Sequence, residues 1–150
     1  MNLSEFEDNY EEIAELRGAM LDTPVSELMA GNPLVVEADA TLVAAINAMN
    51  ERRTGCVLVA QRGNLVGILT ERDVLRAVAT GQVEGTHVAA WMTRDPETVG
   101  LEDTSGHAAA LMIHGGFRHL PVLDAGAPVG IVSIRDLMRV ALEDVSPRGV

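Results

Sequence analysis

Apolar and polar positions along the chain fall into short runs that occur twice in the same order. The first series opens with an apolar stretch at 34–36. Leu42, Ala45, Ile46 and Met49 then follow at helical spacing. A run at 56–60, a turn at Arg62-Gly63-Asn64 and a run at 65–69 read as a hairpin. A further helix begins at Arg72-Asp73. The second series has a stretch at 97–99, then Ala108, Leu111 and Met112 at helical spacing. Runs at 120–123 and 129–133 flank Ala125-Gly126-Ala127, and a helix begins at Arg135-Asp136. Each series predicts strand, helix, strand, strand, helix. Ahead of each, Thr23-Pro24 and Thr86-His87 predict an N-cap hydroxyl before a short helical turn ending near Met29 or Met92. Asn32-Pro33 and Asp95-Pro96 end that turn, because a residue before proline avoids the helical region.

The two series are copies. A shift of 63 residues aligns 23–76 with 86–139 without a gap, and 16 of the 54 aligned positions are identical. They include Met29/Met92, Pro33/Pro96, Gly67/Gly130, Arg72/Arg135, Asp73/Asp136 and Arg76/Arg139. One copy is too small to cover the apolar face of its own sheet. The expected fold is mixed α/β (α+β): two β-α-β-β-α repeats, at 23–80 and 86–143, packed about a pseudo-twofold axis with two related clefts between them. Outside the repeats, Leu3, Phe6, Tyr10, Ile13 and Leu16 recur every three or four residues among acidic ones. They predict an amphipathic helix over 1–22 that packs on its own module or on a sister chain. Residues 144–150 are expected to form a tail, frayed from Ser146 to Val150.

Charge and composition narrow the function. The 150 residues carry a net charge of −11, and all 11 basic residues are arginine. Such a surface repels nucleic acid at long range. The four aromatic residues are too few for a base-stacking platform, since Phe6 and Tyr10 lie in the N-terminal segment. No apolar run approaches the roughly 18–20 residues needed to cross a bilayer, and the acidic N-terminus is unlike a secretory signal. A cytoplasmic protein, bound to neither nucleic acid nor membrane, is expected. Cys56 stands alone and reads as a small buried hydrophobe. The four histidines follow no recognised metal spacing, and no carboxylate pair is placed for acid–base chemistry. No metal, catalytic cofactor or catalytic residue is expected.

The candidate chemistry lies where each hairpin ends. Gly67-Ile68-Leu69-Thr70-Glu71-Arg72-Asp73 is matched by Gly130-Ile131-Val132-Ser133-Ile134-Arg135-Asp136, with a hydroxyl residue three positions before an aspartate. One reading is a nucleoside site: free amides and the positive helix end favour phosphate, and a carboxylate accepts from ribose hydroxyls. The other reading is that Thr70 and Ser133 are caps and the aspartates complement the helix dipole. Recurrence in both copies favours the first.

These segments, with Val88-Ala89-Ala90-Trp91-Met92-Thr93, Asp95-Pro96-Glu97-Thr98-Val99 and Phe117-Arg118-His119-Leu120-Pro121-Val122, resemble the cystathionine-β-synthase (CBS) domain. The tandem over 23–139 resembles a CBS pair, or Bateman module. The resemblance implies a regulatory module without catalysis that binds adenosine-containing ligands. AMP, ADP or ATP come first, and S-adenosylmethionine or NAD after them. It implies ribose recognition by Asp73 and Asp136, with Thr70 and Ser133 assisting. It also implies that each cleft borrows the first strand of the opposite repeat, so that Thr98 joins Asp73 and Val35 joins Asp136. The middle-strand starts, Gly55-Cys56-Val57 and Arg118-His119-Leu120, are expected to meet base or phosphate. Arg118 and His119 form a plausible phosphate pair that repeat 1 lacks, so the Asp136 cleft is expected to hold anions better. Arg72 and Arg135 follow the same logic, although an arginine in a first helical turn is more often solvated. A homodimer formed through helical faces and an unidentified effector protein are the expected partners. The alternative is a ligand-free scaffold module acting through dimerisation.

Overall fold

The computed structural model describes residues 21–145. The predicted N-terminal helix, except for Leu21 and Asp22, and the tail beyond Val145 lie outside the described residues. The chain is a mixed α+β fold of two sheet-and-helix units. A helical turn α1 (Val25–Leu28) and a short strand β1 (Ala30–Gly31) lead into the first unit. Then come β2 (Val35–Glu37), α2 (Leu42–Arg52), β3 (Cys56–Gln61), β4 (Asn64–Thr70) and α3 (Glu71–Thr80). A 3₁₀ turn at Val88–Ala90 and β5 (Thr93–Arg94) precede the second unit. It contains β6 (Val99–Gly100), α4 (Ser105–Gly115), β7 (His119–Asp124), β8 (Ala127–Ser133) and α5 (Ile134–Val145).

Local chemistry accounts for the boundaries. Thr41 and Thr104 cap α2 and α4, their hydroxyls accepting from the amides of Ala44 at 3.1 Å and His107 at 3.2 Å. Each hairpin turns on two consecutive residues with positive φ, Arg62-Gly63 and Ala125-Gly126, matching the twist of the flanking strands. The short helical turns start one residue later than expected. Pro24 and His87 occupy their N-cap positions without a side-chain cap. The Thr86 hydroxyl instead accepts from the Trp91 indole at 3.3 Å.

Strand periodicity explains how the middle strands are buried on both faces. In β3, Val57 and Val59 point into the helix side of the unit, while Cys56 and Leu58 point the other way. There, with Ile68 and Ile131, they form a third apolar cluster between the two sheets.

The sheets do not follow the repeat boundaries. The first has the order β2-β3-β4-β5 and the second β1-β8-β7-β6. β5 pairs antiparallel with β4, placing Gly67 opposite Arg94. β1 pairs antiparallel with β8, placing Gly31 opposite Gly130. Each leading segment therefore completes the core of the other repeat. Val88, Trp91 and Met92 pack with Leu42, Met49 and Leu69, whereas Val25, Leu28 and Met29 pack with Met112, Leu120 and Val132.

The exchanged strands are β1 and β5, whereas β2 and β6 stay in the sheets of their own repeats. β2 pairs in parallel with β3 of its own repeat, and β6 with β7. The reason is local. Asn32 and Asp95 adopt φ of 52° and 46°, a left-handed conformation that short polar side chains tolerate, and Pro33 and Pro96 follow. The chain reverses there and returns to its own repeat.

Candidate functional site

The hairpin ends build the site. At the start of α3 the Asp73 carboxylate turns back on the helix N-terminus. Its Oδ2 accepts from the Thr70 amide at 3.0 Å and the Thr70 hydroxyl at 3.2 Å. Its Oδ1 accepts from Arg76 Nη1 at 3.0 Å. Repeat 2 has the same arrangement. Asp136 Oδ2 accepts from the Ser133 amide at 2.8 Å and hydroxyl at 2.9 Å, and Oδ1 from Arg139 Nη2 at 2.6 Å. Both aspartates are buried, at 5% and 8% exposure, so neither is a solvated dipole complement. The capping role and an inward-facing carboxylate coexist in one residue.

Several of the amides expected to be free for phosphate are used. Thr70 donates to Asp73, Glu71 donates to the Gly55 carbonyl at 3.0 Å, and Ile134 donates to the Arg118 carbonyl at 2.9 Å. Side chains supply the other polar groups around this helix start.

Those side chains converge in a cleft of about 690 Å³ between the repeats. Repeat 1 contributes Gly55, Ile68, Thr70, Glu71, Arg72, Asp73 and Arg76. The exchanged segment contributes Thr93, Pro96 and Glu97. The end of α4 and the start of β7 contribute Gly115, Gly116, Phe117, Arg118 and His119. Four cationic or imidazole groups thus face three carboxylates.

Thr70, Asp73, Gly55, Arg118 and His119 are brought together here. Thr98, Val35, Cys56, Leu120, Ser133, Arg135 and Asp136 do not line this cleft. Val35 is an exposed strand position, and Leu120 is wholly buried in the core of the second unit. The Arg118–His119 pair faces the Asp73 cleft, contrary to the expectation that it would favour Asp136. The packing of the repeats brings the start of β7 to the start of α3.

Burial pushes the His119 imidazole below its usual range; Glu71 and Asp136 pull it upward and Arg118 adds to the fall. Burial also raises the Cys56 thiol to about 12, with Glu71 adding to the rise and a hydrogen bond from Thr54 opposing it. At 2% exposure Cys56 is the expected small hydrophobe. Among the described residues no group of histidine, cysteine and carboxylate side chains could hold a metal ion.

Arg76, Glu71, Glu97 and the Gly115-Gly116 pair were not among the expected site residues. Arg76 and Arg139 were visible as a repeated identity three positions after each aspartate, the spacing of helical neighbours. Glu97 and the glycines carried no comparable signal.

The fold and this cleft define a paired two-repeat module, and the chain belongs to the CBS domain family, whose model matches residues 25–80 and 88–143. A relative from Acidianus ambivalens, described as an uncharacterized 17.7 kDa protein, is 36% identical over 81% of this chain and 74% of its own length. A Methanocaldococcus jannaschii relative is 29% identical over 84% of this chain, which spans 45% of that longer protein. Among solved structures, the CBS domain NE2398 superposes with a TM-score of 0.75 at 35% identity, covering 80% of this chain and 98% of that one. CBSX2 in complex with AMP superposes with a TM-score of 0.72 at 27% identity, covering 81% and 97%. No helix among the described residues is long and apolar enough to cross a membrane.

Proposed function

We propose that this CBS pair binds an adenine nucleotide in the inter-repeat cleft and reports its level to another protein, without catalysis. The observation that carries the reading is the convergence of two half-sites from different repeats. Asp73 offers carboxylate oxygens suited to a ribose diol, while Arg118 supplies a cationic donor and His119 an uncharged imidazole donor suited to phosphate. The complex of CBSX2 with AMP supports an adenosine ligand. By the 63-residue equivalence, Asp136, Ser133 and Arg135 form the corresponding half-site with Gly55 and Cys56, with Thr98 and Val35 flanking the two sites. Because the cleft is built from both repeats, a ligand that favours one relative placement of them shifts that equilibrium.

Leu75 and Val78 on α3, Ile113 on α4, and Met138 and Leu142 on α5 are between 57% and 74% exposed. Pairing of two chains through these helical faces completes the proposal. The same faces favour a second reading, a ligand-free scaffold that works by dimerisation and partner binding. Calorimetric titration with AMP, ADP, ATP, S-adenosylmethionine and NAD separates the two. Saturable micromolar binding of one compound at one or two sites per chain is expected. Silence across the panel from a folded protein selects the scaffold.

A further inference from the structure

We propose that Arg76 is a competitor for the ribose-binding oxygen of Asp73, and that this competition makes the cleft select phosphorylated adenosine compounds over unphosphorylated ones. The inference rests on the nucleotide reading and adds a specificity-determining residue to it.

It begins with acceptor arithmetic. An ionised carboxylate offers about four lone-pair positions. Asp73 uses three of them, two on Oδ2 for Thr70 and one on Oδ1 for Arg76. A vicinal diol that donates twice therefore needs a position already in use. The Thr70 amide and hydroxyl both hold Oδ2 within the capping box of α3, whereas Arg76 alone holds Oδ1. Arg76 is the partner free to leave, because its side chain is 61% exposed while that of Asp73 is only 7% exposed. A ligand that displaces Arg76 breaks a charge-assisted hydrogen bond. A ligand that also carries phosphate gives the guanidinium a new and geometrically suited partner inside the same cleft. A nucleoside without phosphate offers no such replacement.

A second contact makes the displacement visible. The Arg76 guanidinium lies 5.9 Å from the ring centroid of Trp91, within cation–π range, and Trp91 is the one tryptophan of the chain. The position equivalent to Trp91 is Leu28, which packs in the core of the second unit, so the signal belongs to the Asp73 cleft.

The test compares AMP with adenosine on the parent protein and on Arg76→Met and Arg76→Lys variants, by calorimetry and by Trp91 emission. The parent is expected to prefer AMP by at least tenfold and to change its emission as AMP binds. Arg76→Met should bind adenosine several-fold more tightly and AMP about tenfold more weakly, with the emission change lost. Arg76→Lys should keep most of the preference for AMP. Equal weakening of both ligands by Arg76→Met, unchanged adenosine affinity, or a parent whose emission is indifferent to bound AMP overturns the proposal alone. If the folded parent binds neither compound, the nucleotide reading falls and the proposal with it.

Discussion

Asp73 serves the helix and the cleft with different atoms. Oδ2 caps α3 and Oδ1 faces the arginine and the cleft. Asparagine keeps one acceptor oxygen for the capping box that Asp73 forms with the N-cap Thr70, but loses the second acceptor oxygen and the charge. Asp73→Asn is therefore expected to keep denaturant stability within about 0.5 kcal/mol while weakening nucleotide binding at least tenfold. Asp73→Ala should lose binding and about 1 kcal/mol of stability as well. Equal loss of binding and stability in both variants would reduce the residue to a cap.

His119 gives a pH prediction at the same scale. Its folded value lies below the unfolded one near 6.5, so unfolding takes up a proton between the two. Stability is full above the unfolded value and declines as pH falls through it toward the folded value. Denaturation midpoints measured from pH 8 to 5 should show this decline attenuated in His119→Gln. The Thr70–Asp73 pair was legible in sequence because its geometry is local, spanning one helical turn. The meeting of Arg118 and His119 with Asp73 was not, because it depends on how one repeat lies against the other.

Among the elements, the exchanged strands explain a repeated identity that function does not, the glycine at 67 and 130. A Cβ on Gly67 would lie 2.5 Å from Met92 Sδ and 2.9 Å from the Thr93 carbonyl oxygen. One on Gly130 would lie 2.6 Å from Met29 Sδ and 2.8 Å from the Ala30 carbonyl oxygen. These glycines leave room for the backbone of β5 and β1. Gly67→Ala should therefore cost about 1–3 kcal/mol by overpacking, read as a lower denaturant midpoint with unchanged slope. A neutral substitution would mean that β5 is not held against β4. The order of strands and helices was readable from apolar spacing and turn chemistry. The exchange was hidden because a direct repeat makes each leading segment look like the start of the copy it precedes. Only the left-handed Asn32 and Asp95 show where the chain doubles back.

For the whole molecule, the unit that repeats and the unit that packs have different boundaries. A fragment of residues 32–95 carries β2 through β5 with Val88, Trp91 and Met92 in its core. A fragment of residues 23–80, cut at the repeat boundary, lacks that segment and carries Val25 and Leu28, which belong to the other core. The first should unfold cooperatively on heating and the second without a transition, as followed by circular dichroism. The reverse result would mean that the exchanged segments contribute little to the cores.

The same exchange bears on ancestry. A half-length chain with one leading segment and one sheet would be self-complementary. Two such chains could lend each other the missing piece across an isologous interface. The tandem then corresponds to that association made covalent, with the residues from Gly81 to Gly85 as the splice and a high effective concentration replacing encounter between molecules. Once joined, the copies no longer have to match, and each can drift in its own direction. Trp91 where the other copy has Leu28, and Arg118-His119 where it has Gly55-Cys56, are the marks of that freedom.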